Sequence, residues 1–213
     1  MNHKEWLLAD KNIQYRTINA MIKEHIVSEG MRIKEGTRKV EIFLNDHLLS
    51  LKVARKSALK RYVFTGDIVL ENKKLSQSVE SLEELLQILT EIFHINISKR
   101  LYDELIHSRD SLYETYKHFY NRQTLIHQSM KFSKLPDSIN FIAWLQHLQD
   151  SGITDDLSYS ESLVIEGHPT HPLTKTKLPL STNELKLYAP EFEKVIPLNI
   201  MLIEKNHVVT TAI

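Results

Sequence analysis

Val40-Glu41-Ile42-Phe43-Leu44-Asn45-Asp46-His47-Leu48-Leu49-Ser50-Leu51-Lys52-Val53 is the stretch on which the fold turns. Val40, Ile42 and Leu44 share one face at period two. Asn45-Asp46 then offers a turn, and Leu49, Leu51 and Val53 resume the alternation. That pattern marks a half-buried antiparallel hairpin. Further on, Tyr62 to Thr65, Gly66-Asp67 and Ile68 to Leu70 read as a second hairpin. The expectation is a small antiparallel sheet of three or four strands.

On either side the period changes to that of a helix. Ile18, Met21, Ile22, His25 and Ile26 predict a helix over residues 4–28, stopped by Gly30. After the sheet, Ser81-x-x-Glu84 forms a capping box ahead of Leu82, Leu85, Leu86, Leu89, Ile92 and Phe93. Residues 99–131 carry Leu101, Leu105, Leu112, Tyr116, Phe119, Gln123 and Ile126 on one face. Another helix is expected from Asp137 or Ser138 to Gly152, burying Phe141, Leu145 and Leu148. The class is α+β, with N-terminal helices packed on a small antiparallel sheet.

Proline placement divides the chain. Pro169, Pro172, Pro179, Pro190 and Pro197 all fall in the last 45 residues, and only Pro136 lies earlier. Each proline fixes its own φ and moves its predecessor out of the α region, so the tail must hold extended or turning backbone. The expected units are residues 1–155 and residues 156–213, with the boundary marked by Ser151-Gly152 and Asp155-Asp156.

Composition narrows the function. The chain has 213 residues, 27 Lys+Arg against 27 Asp+Glu, and no cysteine. This excludes a disulfide scaffold, a Cys-ligated zinc site and a thiol nucleophile. Zero formal charge provides no general field for nucleic acid or anionic lipid. The longest apolar-looking stretch, Val195 to Ile203, is broken by Pro197 and Asn199 and falls far short of the ~20 residues that span a bilayer. With no targeting segment visible, a cytoplasmic protein is expected, binding neither membrane nor nucleic acid.

Most candidate chemistry dissolves on inspection. Tyr102, Tyr113, Tyr116, Phe119 and Tyr120 follow helix spacing and read as core. Lys52, Arg55, Lys56, Lys60 and Arg61 alternate around a hairpin and read as a solvated face. One segment stands apart: Glu166-Gly167-His168-Pro169-Thr170-His171-Pro172-Leu173-Thr174-Lys175-Thr176-Lys177. Two histidines, each followed by proline, sit on stiff backbone, with lysines four and six residues beyond the second. Imidazole N–H and ammonium donors on a rigid loop suit an anion with several oxygens, and Gly167 permits close approach. Two other readings stay open: zinc held by His168 and His171 with Glu166, or a proline-shaped loop whose histidines cap carbonyls. No metal site is assigned.

Gly167-His168-Pro169-x-His171-Pro172-x-x-Lys175-x-Lys177, followed by Tyr188-Ala189-Pro190-Glu191-Phe192 and the strand-like Leu198 to Ile203, resembles the signature of the aerobactin synthetase (IucA/IucC) family of siderophore synthetases. The resemblance implies an ATP-dependent ligase, using Mg2+, that adenylates citrate or a citrate-like carboxylate and joins it to an amine or alcohol. By the motif match, Gly167, His168, His171, Lys175 and Lys177 would bind the ATP phosphates. Tyr188, Pro190, Glu191 and Phe192 would shape the wall. The same resemblance implies a thumb-like first domain, the opening of a mixed α/β nucleotide-binding (fingers-like) domain, and a possible homodimer. Leu178-Pro179-Leu180 departs from the family's usual glycine at that place. Family members run to roughly three times this length, so the chain is expected to be an N-terminal fragment, inactive alone, with the main catalytic residues beyond residue 213. The rival expectation is a non-catalytic interaction module that keeps a relic anion-binding loop.

Overall fold

A computed structural model describes residues 3–56, 61–129, 146, 149–150, 152, 159–160, 162, 165–167, 171–173, 180–192, 201–205 and 208–212. The first helix, α1, runs His3–Lys23, shorter than the periodicity predicts. His25 adopts a left-handed φ of 52°, and the Ile26 N–H reaches back to the Met21 carbonyl at 2.9 Å. This is a Schellman closure with histidine where glycine is usual. Ile18, Met21 and Ile22 are buried as expected, but Ile26 lies past the closure and is 45% exposed. The helix therefore stops well before Gly30.

The sheet is an antiparallel meander of β1 (Arg32–Glu35), β2 (Lys39–Leu44), β3 (His47–Lys56), β4 (Tyr62–Glu71) and β5 (Ser76–Ser78), in sequence order. Register follows the alternation: Val40 faces Leu51, Ile42 faces Leu49, and Leu44 faces His47. Asn45 supplies the positive φ, 52°, that such a tight turn favours.

Two expectations about the sheet need correction. It has five strands, because the short edge strands β1 and β5 carry little periodicity. Gly66-Asp67 is not a turn, since β4 runs straight through it. The buried residues Tyr62, Phe64, Ile68 and Leu70 all sit at even positions, so period two continues across Gly66 and no reversal is needed. The irregularity is a bulge instead. Ser50 pairs with Val69 and Lys52 with Thr65, which leaves extra residues on β4. Gly66 accommodates it at φ +74°, and its carbonyl accepts the Tyr15 hydroxyl.

Helix α2 (Leu82–Glu91) starts at Ser81, whose hydroxyl accepts the Glu84 N–H at 3.1 Å. The Glu84 carboxylate reaches one residue further back than a capping box predicts, to the Glu80 N–H at 2.7 Å. This helix joins two cores. Leu85, Ile88 and Leu89 pack on the sheet with Ile42, Leu49, Ile68 and Phe93. Leu82 and Leu86 pack with Ala9 and Ile13 of α1 and with Leu105, Leu112, Tyr113 and Tyr116 of α3 (Lys99–Ser129). Burying each such leucine contributes about 2 kcal/mol. Leu101, expected on that buried face, is 36% exposed.

A last described helix, α4 (Thr182–Tyr188), carries a full capping box between Ser181 and Glu184. Pro190–Phe192 forms one 3-10 turn after it. Both pack on α3: Lys186 pairs with Glu114 at 2.8 Å, and the Phe192 ring lies 5.2 Å from that of His118. Strands β6 (Met201–Lys205) and β7 (Val208–Ala212) form an antiparallel pair. The helix expected up to Gly152 falls outside the described residues except at 146, 149–150 and 152, and the 155/156 boundary also lies outside them. The architecture is α+β.

Candidate functional site

The site begins with polar residues set into apolar stripes. Along α1, buried Ala9, Ile13 and Arg16 follow one another at spacings of four and three. On α3, Leu105, Arg109, Leu112 and Tyr116 do the same. Each helix thus places an arginine where periodicity calls for a hydrophobe. A buried guanidinium needs several acceptors, and the two arginines find different ones.

Arg109 is met within the helix layer. It pairs with Asp10 at 3.3 Å, with Asp110 at 3.0 Å and with Glu83, and it stacks 4.2 Å from the Trp6 ring centre. The Asp10 carboxylate in turn accepts the Leu82 N–H at 3.0 Å. This cluster ties three helices together.

Arg16 instead reaches the loop singled out above. Its side chain is 3% exposed. Nη2 donates to the Glu166 carbonyl at 3.1 Å and to Glu166 Oε2 at 3.3 Å, while Nη1 donates to the His171 carbonyl at 3.2 Å. The other carboxylate oxygen of Glu166 accepts the Tyr116 hydroxyl at 2.6 Å. Asn12, one turn before Arg16, donates to that same hydroxyl oxygen at 3.2 Å and accepts from Arg16 Nε. Burial pushes the Glu166 carboxyl up, but the Tyr116 and Asn12 hydrogen bonds and the Arg16 charge outweigh it, and the group is held below the usual carboxylate value. Burial and the adjacent carboxylate both push the Tyr116 hydroxyl up, so it stays protonated and donates.

The loop is also anchored at its flanks. Ile165 and Leu173 pack against the second core, and the Ser108 hydroxyl donates to the Pro172 carbonyl at 3.1 Å. Gly167 takes φ +64°, a left-handed conformation that glycine adopts without strain. His171 is exposed, and its Nδ1 accepts the Leu173 N–H at 3.1 Å. In the neutral ring the proton must then sit on Nε2, which becomes a donor. A cleft of about 490 Å³ opens beside it, between the end of α1 and the segment joining α2 to α3; Met21, Leu89, Ile97, Leu105, His171 and Leu173 are among its walls.

Of the residues picked from the sequence, Gly167 and His171 are therefore described, four positions apart in the clamped loop. His168, Lys175 and Lys177 lie outside the described residues. Glu191 and Phe192 are buried, whereas Tyr188 is 57% exposed. Sequence reasoning missed Arg16, Asn12 and Ser108, and read Tyr116 only as core. The signal that could have found Arg16 is its place in the apolar stripe of α1. Among the described residues no group of three His, Asp or Glu side chains could hold a metal, and no described helix is long and apolar enough to cross a membrane.

Comparison with known proteins bears on the same segment. Residues 156–213 match the model of the IucA / IucC family. Over all of its length the chain is 61% identical to 36% of the staphyloferrin A synthase of Staphylococcus aureus. Over 94% of its length it is 22% identical to 31% of a D-ornithine–citrate ligase from the same organism. The chain thus spans about a third of the curated relatives it matches. Among solved structures it resembles aerobactin synthetase IucA of Klebsiella pneumoniae, with TM-score 0.53 and 15% identity, covering 86% of this chain and 30% of that one. It also resembles the petrobactin biosynthesis protein AsbB of Bacillus anthracis, with TM-score 0.52 and 14% identity, covering 93% of this chain and 28% of that one. These two likenesses concern the fold. The chain's likeness to the IucA / IucC family thus rests on a match that covers the clamped loop and on 61% identity, along the whole chain, to a staphyloferrin A synthase.

Proposed function

We propose that this chain forms the helix–sheet part and the phosphate-binding loop of an ATP-dependent siderophore synthetase. The observation that carries the reading is the 61% identity, along the whole chain, to a staphyloferrin A synthase. The proposed reaction activates citrate or a related carboxylate. A carboxylate oxygen attacks the α-phosphorus of ATP, pyrophosphate leaves, and an amine or alcohol then displaces AMP from the acyl-adenylate. Negative charge gathers on the phosphates in the first step, so the protein must offer donors placed in advance.

The described residues fit that demand in part. His171 offers Nε2–H outward, and Gly167 brings backbone close. Glu166, the one carboxylate in the loop's first turn, has its charge compensated by Arg16, so it does not repel an approaching phosphate. His168, Lys175 and Lys177 are proposed as further phosphate contacts. Mg2+ would accompany the nucleotide and offset the charge that gathers on its phosphates. The remaining walls of the site are assigned to the length of the relatives that this chain does not span. On that ground the chain alone should bind Mg-ATP no more tightly than millimolar, as titration calorimetry would read.

The test uses a protein of the relatives' length that carries this sequence. Citrate-dependent exchange of labelled pyrophosphate into ATP is expected, and His168→Ala or His171→Ala should slow it about tenfold or more. No exchange with citrate or a panel of related carboxylates would refute the ligase and favour a non-catalytic module.

A further inference from the structure

We infer that Arg16 is a positioning residue for the phosphate-binding loop: one guanidinium joins the loop's two limbs, at the Glu166 and His171 carbonyls, and thereby sets where the His171 imidazole points. This deepens the functional reading above and rests on it. A buried arginine serving only the fold can find its acceptors within the helix layer, as Arg109 does in three carboxylates. Arg16 does more. Nη2 holds the first limb at 3.1 Å and Nη1 the second at 3.2 Å, and the two nitrogens are fixed relative to each other by a planar, delocalised group. The spacing between the limbs is therefore copied from the geometry of the guanidinium.

Two further contacts carry that spacing to the imidazole. Ser108 holds the next carbonyl, that of Pro172, and the Leu173 N–H fixes His171 Nδ1 at 3.1 Å. The ring's rotation and its tautomer thus follow from a backbone path that Arg16 sets. Ordering the loop before the anion arrives spares the complex that entropy loss. Lysine could keep the charge opposite Glu166, but as a single ammonium it lacks the fork that bridges both carbonyls.

The chain itself can be tested by NMR. In the unaltered chain the His171 ring nitrogens should report the Nε2–H tautomer, and the Leu173 amide should be protected from exchange. Arg16→Lys should stay folded, yet show mixed tautomers and Leu173 exchange at least tenfold faster. Arg109→Lys, which weakens the fold without touching the loop, should lower Tm and leave both signals in place. Wild-type signals in Arg16→Lys, or equal loss of both in Arg109→Lys, would overturn the inference. If Arg16→Lys does not fold, the unaltered chain decides: a Leu173 amide exchanging like an unstructured one refutes the clamp. In the exchange assay, Arg16→Lys should raise KM for ATP about tenfold with kcat within twofold, as follows when the competent loop falls to a tenth of its population. An unchanged KM in an active protein also refutes the clamp. Inactivity of the unaltered protein refutes only the functional reading and leaves the NMR signals to judge Arg16.

Discussion

Glu166→Gln would remove one negative charge from beside Arg16 while keeping nearly the same shape. The amide oxygen can still accept the Tyr116 hydroxyl, but its NH2 then faces a guanidinium donor. Breaking a fully buried ion pair costs about 3–5 kcal/mol, whereas an exposed pair contributes about 0–1 kcal/mol. Here Arg16 is 3% exposed and Glu166 46%, so solvent screens one partner and roughly 2 kcal/mol is expected. For a chain of this size each kcal/mol moves Tm by about 2–4 °C, giving a fall of roughly 4–8 °C near neutral pH.

The pH dependence supplies a sharper test. The Glu166 carboxyl titrates below its ordinary value of 4.5 in the folded chain. Its stabilisation is therefore present above about pH 4.5 and is lost as pH falls through the folded-state value. Other carboxyls contribute to acid unfolding in both proteins, so the difference between them isolates residue 166. Thermal melts by circular dichroism should show a gap that is full above about pH 5 and narrows as pH falls below the ordinary carboxylate range. Equal Tm at neutral pH, or a gap undiminished in acid, would refute the account of the Arg16–Glu166 pair.

Two other substitutions probe single contacts. Gly167→Ala places a Cβ at φ +64° and should cost about 1 kcal/mol in urea unfolding; an unchanged midpoint would mean that position 167 does not need a left-handed backbone. Ser181→Ala removes the cap of α4 and should cost about 1 kcal/mol, with Ser181→Asp restoring most of it; amide exchange in residues 182–188 that is the same in all three proteins would refute the cap's contribution.

Much of the framework was legible because it depends on local periodicity. The Val40 to Val53 hairpin, the start of α2 at Ser81 and the buried stripe of α3 each follow from short-range alternation that any folded state must satisfy. The errors have equally physical sources. Gly66 is a turn former by type, but the even-numbered apolar face continued past it, and burial of Ile68 and Leu70 outweighed the local preference. The helix from His3 ended at a histidine in a left-handed conformation, which sequence alone gives little reason to expect. The Gly-His-Pro and Tyr-Ala-Pro patterns pointed to a family, because they combine particular residue types at a particular spacing.

What sequence settled by itself was the class of fold, the main hydrophobic faces and the loop's kinship, since these are written in neighbours along the chain. Tertiary structure alone decided that Arg16, 150 residues before Glu166, grips both ends of that loop. A buried guanidinium is specified by whatever carbonyls and carboxylates surround it in space, and those acceptors come from a part of the chain whose separation in sequence carries no periodic signal.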